Sequence, residues 1–266
     1  MSAETLKGIV TRFQSGFYNV QTAGGMIVCK LRGRLKRRSF QGDVISIGDN
    51  VAITRLPDGS GVIEAIEPRA RELARLDPTP RGTYRQILLA NPNQIVAVFA
   101  CASPEPHLRM LDRFLVIAEK QGLGAVVVAN KLDLVGKRNA RRIFSIYPPL
   151  GYRVIYTSAV TGEGVDELRE ALSGKVSALT GPSGVGKSSL LNRVQPGLEL
   201  AVQEVSARKD RGRHTTVVRE LFPLDGGGYV ADLPGLRKLS LWDTEPEELD
   251  GYFPELRELV KHCQFN

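Results

Sequence analysis

Eight consecutive residues, Gly181-Pro182-Ser183-Gly184-Val185-Gly186-Lys187-Ser188, constrain this chain more than any others. They fit G-x-x-x-x-G-K-[ST] at every fixed position. The pattern of Lys175–Thr180 predicts a strand leading in, and that of Ser188–Val194, with Ser189 in its first turn, a helix leading out. A strand, a Gly-rich turn and a helix start wrap backbone N–H groups around phosphate, with the positive end of the helix dipole behind them. Lys187 is expected to reach the β- and γ-phosphates, in a catalytic as well as a binding role, and the Ser188 hydroxyl to bind Mg²⁺.

The base is read elsewhere. Asn130-Lys131-Leu132-Asp133 directly follows the apolar run Ala125–Ala129. A carboxylate accepts from both N1–H and the 2-amino group of guanine, and adenine offers no such pair, so Asp133 predicts guanine selection. Asn130 is expected on the other purine edge, with the Lys131 stem packed along it. Thr157-Ser158-Ala159 closes the next predicted strand, where small residues let a backbone N–H approach guanine O6, which adds Ser158 and Ala159 to the expected GTP contacts.

Asp-x-x-G occurs four times, at Asp58–Gly61, Asp133–Gly136, Asp225–Gly228 and Asp232–Gly235. Only the last follows a predicted strand downstream of the phosphate loop. There Asp232 is expected to hold Mg²⁺ and the Gly235 N–H to sense the γ-phosphate. Between them lies Arg213-His214-Thr215-Thr216, in which Thr215 and Thr216 are expected at GTP and Thr216 in the Mg²⁺ shell. Ordinary Ras-like GTPases run phosphate loop, switch threonine, Asp-x-x-G, Asn-Lys-x-Asp, Ser-Ala. Here the last two come first, so the same parts stand in circularly permuted order. Such reordering is tolerated where a domain's original termini lie close together.

The length of 266 residues suggests one large domain or two smaller ones, and a composition of 42% hydrophobic and 24% charged residues is that of a globular chain. From Leu6 to Glu67 short strands are punctuated by glycine: Gly8–Phe13, Phe17–Thr22, Met26–Lys36, Val44–Ile47 with Asn50–Arg55, and Gly61–Ile66. Five strands in so short a stretch predict a small β-barrel of OB-fold type over residues 1–67. Residues 68–80, with Pro68, Pro78 and Pro80, read as a linker. Apolar strands then alternate with helical patterns, Leu108, Leu111, Leu115 and Ala118 on one face, and a basic helix near Asn139–Tyr147, giving an α/β domain over 81–241 around a largely parallel sheet. The longest apolar run, Ile95–Ala102, is less than half a membrane span. Three distant cysteines exclude a secreted disulfide scaffold and favour a reducing cytoplasm. The net charge of +7 permits an anionic partner. It concentrates at Lys30, Arg32, Arg34, Lys36, Arg37 and Arg38, where alternation in one strand would set four cations about 6.6 Å apart on one face. That face reads either as a contact for a nucleic-acid backbone or as a solvated barrel edge.

The series barrel, NKLD, TSA, GPSGVGKS, RHTT and DLPG resembles the bacterial ribosome small-subunit-dependent GTPase A family over essentially the whole chain. The resemblance implies an N-terminal OB-fold, a circularly permuted P-loop GTPase domain and a C-terminal zinc-binding domain beginning near 242. It implies late maturation of the small ribosomal subunit, binding to its rRNA, and GTP hydrolysis that is slow unless the subunit is present. Cys263 stands where the family's first zinc ligand is expected; the sequence ends at Asn266 without the others, so Zn²⁺ is expected only where the missing ligands are supplied. Val217 stands where the family usually continues its threonine run. A monomer is expected. An RNA-binding assembly scaffold with GTP as a structural or switch ligand is the other reading, and the set Lys187, Ser188, Asp232 favours hydrolysis over it.

Many GTPases carry a water-orienting glutamine directly after Asp-x-x-G. Here that residue is Leu236, which neither donates nor accepts a hydrogen bond. His214, in the loop with the switch threonines, is the expected replacement, since imidazole titrates near neutrality. His214→Ala is therefore expected to abolish subunit-stimulated GTP turnover while GTP and subunit affinities persist. Stimulated turnover that survives the substitution removes His214 from the chemistry.

Overall fold

The computed structural model describes residues 5–36, 43–79, 82–198, 200, 219–233, 248–260 and 262. Five strands between Thr5 and Ile66 close into a barrel. Its strands are β1 (Thr5–Gln14), β2 (Phe17–Thr22), β3 (Gly25–Leu31), β4 (Asn50–Arg55) and β5 (Gly61–Ile66). The order around the barrel is β1-β2-β3-β5-β4 and back to β1, with β3 and β5 parallel and every other pair antiparallel. Alternation makes the core: Val20, Ile27, Cys29, Leu31, Val51, Ile53 and Ile63 point inward and are buried. Burial pushes the Cys29 thiol up to about 11, so it behaves as a small apolar side chain.

Three local expectations fail here. The strand expected over Met26–Lys36 ends at Leu31, opposite Ile63 of β5. Beyond it the chain makes one helical turn, α1 (Gly33–Lys36), with Leu35 packed against the barrel core. Arg34 and Lys36 therefore do not continue a strand face. No strand forms at Val44–Ile47. That segment turns around the buried Asp49 carboxylate, whose Oδ2 accepts from the Ser46 N–H at 2.7 Å. The predicted linker is largely a strand: β6 (Glu72–Thr79) pairs antiparallel with β7 (Gly82–Ala90). Pro78 is tolerated because it lies opposite Thr83 near the tip of a ribbon that has two strands among the described residues.

The second unit is a six-stranded sheet in the order β10-β9-β8-β11-β13-β12. It comprises β8 (Gln94–Ala100), β9 (Gly124–Asn130), β10 (Arg153–Tyr156), β11 (Val176–Thr180), β12 (Leu221–Pro223) and β13 (Tyr229–Asp232), all parallel except the β12–β13 pair. Every residue of central β8 is buried. Ile95, Ala97 and Phe99 face α2 (Leu108–Lys120) through Leu111, Phe114, Leu115 and Ala118. Val96, Val98 and Ala100 face α4 (Val165–Leu172) and α5 (Lys187–Val194). The remaining helices are α3 (Gly136–Ile143) and the short α6 (Arg257–Val260). No helix among the described residues is long and apolar enough to cross a membrane.

The two units meet along the turn at residues 43–49 and the β6–β7 ribbon. Ile47, Leu73, Leu88 and Leu89 enter the core beneath α2. Arg69 clamps Asp49 through two bonds of 2.7 Å, Nε to Oδ1 and Nη2 to Oδ2. The Asp49 side chain is fully buried. Removing one partner of a buried pair strands the other charge, which costs about 3–5 kcal/mol. Arg69→Met is expected to lower the stability measured by urea unfolding by that amount; a change under about 1 kcal/mol would place Asp49 in a wetter setting than this geometry gives it.

Candidate nucleotide-binding site

Every strand that ends in one of the motifs runs parallel, so their loops leave from one edge of the sheet. Asn130 closes β9, Thr157-Ser158-Ala159 follows β10, Gly181 follows β11 and Asp232 closes β13. Adjacent strands β8 and β11 send their connections to opposite sides, and the crevice between such connections is where open α/β sheets bind ligands.

The phosphate loop is shaped by two glycines. Gly181 has φ +142°, and a Cβ there would sit 2.0 Å from the Val98 carbonyl oxygen of β8. Gly186 has φ +92° and opens α5; a Cβ on it would lie 2.5 Å from Asn130 Nδ2. Neither position accepts a side chain. The Lys187 ammonium curls over the loop and donates to the carbonyls of Gly181 (3.1 Å) and Pro182 (2.9 Å). Val185 is buried and anchors the loop, Ser183 is exposed, and Gly184, Ser188 and Ser189 are half-buried.

Asn130 is 1% exposed and its amide is taken up by the protein. Nδ2 donates to the Val185 carbonyl at 2.7 Å, while Oδ1 accepts from Thr157 Oγ1 (3.1 Å) and the Ala159 N–H (3.3 Å). Asn130 and the Ala159 N–H, expected at the purine edge, thus also hold the phosphate loop against the Ser-Ala loop. Arg193 of α5 adds a second tie, donating to the carbonyls of Ala159 (2.9 Å) and Val160 (3.0 Å). Arg193 escapes a sequence reading because it belongs to no motif, and Thr157, though it opens the Thr-Ser-Ala motif, is fully buried and given its role by Asn130 rather than by the nucleotide.

Asp133 lies in a short 3-10 turn after Lys131, which adopts the left-handed conformation. The Lys131 ammonium donates to the Ser103 carbonyl. Asp133 is exposed, and its Oδ1 accepts from Ser158 Oγ at 2.5 Å. Ser158 in turn accepts from the Thr161 N–H, so its hydroxyl proton is directed at the carboxylate. Burial, then the nearby Asp133 charge, push the Cys101 thiol up to about 11.

Asp232 stands beside Leu179 in the β11–β13 register, two residues before the phosphate loop. Of the other Asp-x-x-G aspartates, Asp58 bonds Ser60 in the β4–β5 turn and Asp225 bonds Gln195 in the β12–β13 turn. Ser188 and Asp232 offer a hydroxyl and a carboxylate, hard oxygen donors that fit Mg²⁺. His214, Thr215, Thr216, Gly235 and Cys263 lie outside the described residues, as do Arg37, Arg38 and the Lys36 side chain.

On the barrel, Lys30 sits over the Phe17 ring, 5.2 Å from its centroid. Arg32 and Arg34 converge on one acid that sequence proximity does not reveal, Glu64 of β5. Arg32 donates to its carboxylate, and Arg34 donates to its carbonyl at 2.9 Å. The expected row of free cations is thus partly an ion-pair cluster. The outer face beside it carries exposed Phe17, Met26 and Val28.

With Ser158 steering it, Asp133→Asn keeps an acceptor for the hydroxyl and loses the charge that guanine requires. GDP affinity is expected to fall by about 1–3 kcal/mol, with xanthine nucleotides gaining relative to it in competition titrations. Equal affinities of the parent for GDP and ADP would contradict the guanine assignment.

The sequence model of the RsgA GTPase family matches residues 66–242, and that of the RsgA N-terminal domain matches residues 7–63. The small ribosomal subunit biogenesis GTPase RsgA of Gemmatimonas aurantiaca is 44% identical over 262 residues, 97% of this chain and 85% of that protein. The protein of the same name from Moorella thermoacetica is 42% identical over 98% of this chain and 84% of its own length. Among solved structures, YjeQ from Thermotoga maritima superposes with a TM-score of 0.75 at 38% identity, covering 95% of this chain and 82% of that one. YloQ, described as a circularly permuted GTPase, gives 0.73 at 28% identity, over 99% and 83%. Permuted motif order, closed barrel and sheet topology agree with these likenesses, and the chain belongs to the RsgA family of GTPases.

Proposed function

We propose that this protein hydrolyses GTP during biogenesis of the small ribosomal subunit, in the cytoplasm and as a monomer, with the subunit as its activator. The observation that carries the reading is the convergence of a phosphate loop and a guanine-type carboxylate on one sheet edge, bound together through Asn130. The names of the relatives supply the ribosomal subunit. A barrel over residues 1–67 and a GTPase unit over 81–241, joined through the β6–β7 ribbon, divide the work between RNA contact and nucleotide chemistry.

In this reading Asp133 accepts from guanine, the phosphate-loop N–H groups and Lys187 hold the phosphates, and Thr215, Thr216 and Gly235 respond to the γ-phosphate. Ser188, Asp232 and Thr216 would hold Mg²⁺, which when bound neutralises charge on the β- and γ-phosphates. His214 orients the attacking water when the subunit is bound. Lys30, Arg32, Arg34, Lys36, Arg37 and Arg38 face rRNA. The ion pairs of Arg32 and Arg34 with Glu64 then fix two guanidinium groups at the barrel edge, while Phe17 offers a stacking face beside Lys30. Cys263 serves as a zinc ligand where the remaining ligands are present.

The test is multiple-turnover hydrolysis of GTP and of ATP by the full chain, with and without purified small subunits. GTP alone should be consumed, slowly without subunits and faster by on the order of tenfold or more with them. ATP turnover equal to GTP turnover, or no response to subunits, would overturn the reading.

A further inference from the structure

The basic helix α3 has no part in nucleotide binding. Residues 136–147 contain Lys137, Arg138, Arg141 and Arg142 and no acid. All four cations are exposed. Lys137 pairs with Glu163 at 2.5 Å. Among the described residues no carboxylate pairs with Arg138, Arg141 or Arg142, in contrast to the barrel arginines that Glu64 engages.

Helix stability does not account for this pattern. Arg141 and Arg142 lie in the last turn, where a cation meets the negative end of the dipole. Lys137 and Arg138 lie in the first turn, where the dipole disfavours them and where no acid is present. Arg138, Arg141 and Arg142 stand at i, i+3 and i+4, so their Cβ atoms are about 5–6 Å apart on one outward stripe. The opposite face is fixed: Ala140 and Phe144 are fully buried, and Tyr147 is 1% exposed with its hydroxyl donating to Asp112 at 2.9 Å. The stripe is therefore displayed from a rigid base. It begins a few residues after Asp133, beside the guanine loop.

We infer that Arg138, Arg141 and Arg142 of α3 form a second RNA-binding site, which docks the sugar–phosphate backbone of duplex RNA against the GTPase unit. Three guanidinium groups supply planar forks that match phosphate oxygens two at a time. Duplex RNA offers proteins chiefly its phosphates, 2′-hydroxyls and shape, which a short cationic stripe without base-reading side chains suits. This site deepens the ribosomal reading and rests on it: the barrel would hold one part of the subunit and α3 another, next to the loop that reads guanine. The exposed Leu134 and Ile146 flank the stripe and would serve an acidic protein surface equally well, so the test must separate the two.

Affinity of the full chain for purified small subunits is measured across a series of KCl concentrations, with a non-hydrolysable GTP analogue bound. A short A-form RNA duplex is titrated in parallel. The triple variant Arg138→Gln, Arg141→Gln, Arg142→Gln should bind both probes more weakly. Its slope of log affinity against log salt should be shallower by about 0.9 for each phosphate that the stripe no longer neutralises. The variant Arg138→Lys, Arg141→Lys, Arg142→Lys keeps the charge and should retain most of the slope. Unchanged GDP affinity and melting temperature establish that both variants are folded. An unchanged slope on both probes overturns the site. Weaker subunit binding with unchanged duplex binding overturns its RNA character and assigns the stripe to a ribosomal protein. A parent that fails to bind subunits refutes the ribosomal reading instead, and the duplex titration then decides the α3 site by itself.

Discussion

One side-chain amide organises the nucleotide site. Asn130 sits at the end of β9 and holds Val185, 55 residues downstream, through its Nδ2. Through Oδ1 it also holds Thr157 and Ala159. Three loops that lie far apart along the chain are thereby kept in one register. The amide is buried, so each of its polar atoms must find a partner, and the partners available are the loops themselves. Gly186 completes the joint, since any side chain there would displace Asn130. Asp133 and the phosphate loop can then contact opposite ends of one nucleotide without either being held by it.

The same joint explains why motif order matters so little. In a parallel sheet every strand delivers its C-terminal loop to the same edge, whichever strand the chain visits first. Permutation changes what is covalently attached to that edge. The segment beginning at residue 248 returns to pack on α2, where Arg257 donates to Glu119 and Glu119 accepts from Tyr152. At the other end the barrel is locked on by Asp49 and Arg69 and by the β6–β7 ribbon. It also touches the strand next to the nucleotide edge, through the Arg12–Glu220 bridge to the residue preceding β12. The barrel and the C-terminal segment thus both pack on the unit that carries the candidate nucleotide site.

Much of this is legible in the sequence because it rests on local patterns. The continuous apolar run of β8 and the 3.6-residue spacing of Leu111, Leu115 and Ala118 are read without tertiary knowledge. The phosphate loop and the NKLD segment carry their chemistry in adjacent residues. What stays hidden depends on distant partners. Alternation from Lys30 to Lys36 suggests a strand, but β3 ends where its partner β5 diverges, and Leu35 is drawn into the barrel. Glu64 lies thirty residues from the arginines it neutralises. Pro78 and Pro80 suggest a linker, yet Pro78 pairs with Thr83 in a ribbon that has two strands among the described residues and so needs no ladder bond from its outer side. Asn130 reads as a base contact because its motif is defined by the nucleotide, and only the folded chain shows that the same amide also joins three loops.

Titration of GDP into Asn130→Ala, beside the parent protein, tests this account most directly. Ala fits the space and removes all three bonds of the amide, leaving the Arg193 tie between α5 and the Ser-Ala loop, while Asp133 and Lys187 remain. The account predicts that GDP affinity falls by about tenfold or more with the melting transition still cooperative. Affinity within about twofold of the parent, below the value of one ordinary hydrogen bond, would show that the loops hold their register without the amide.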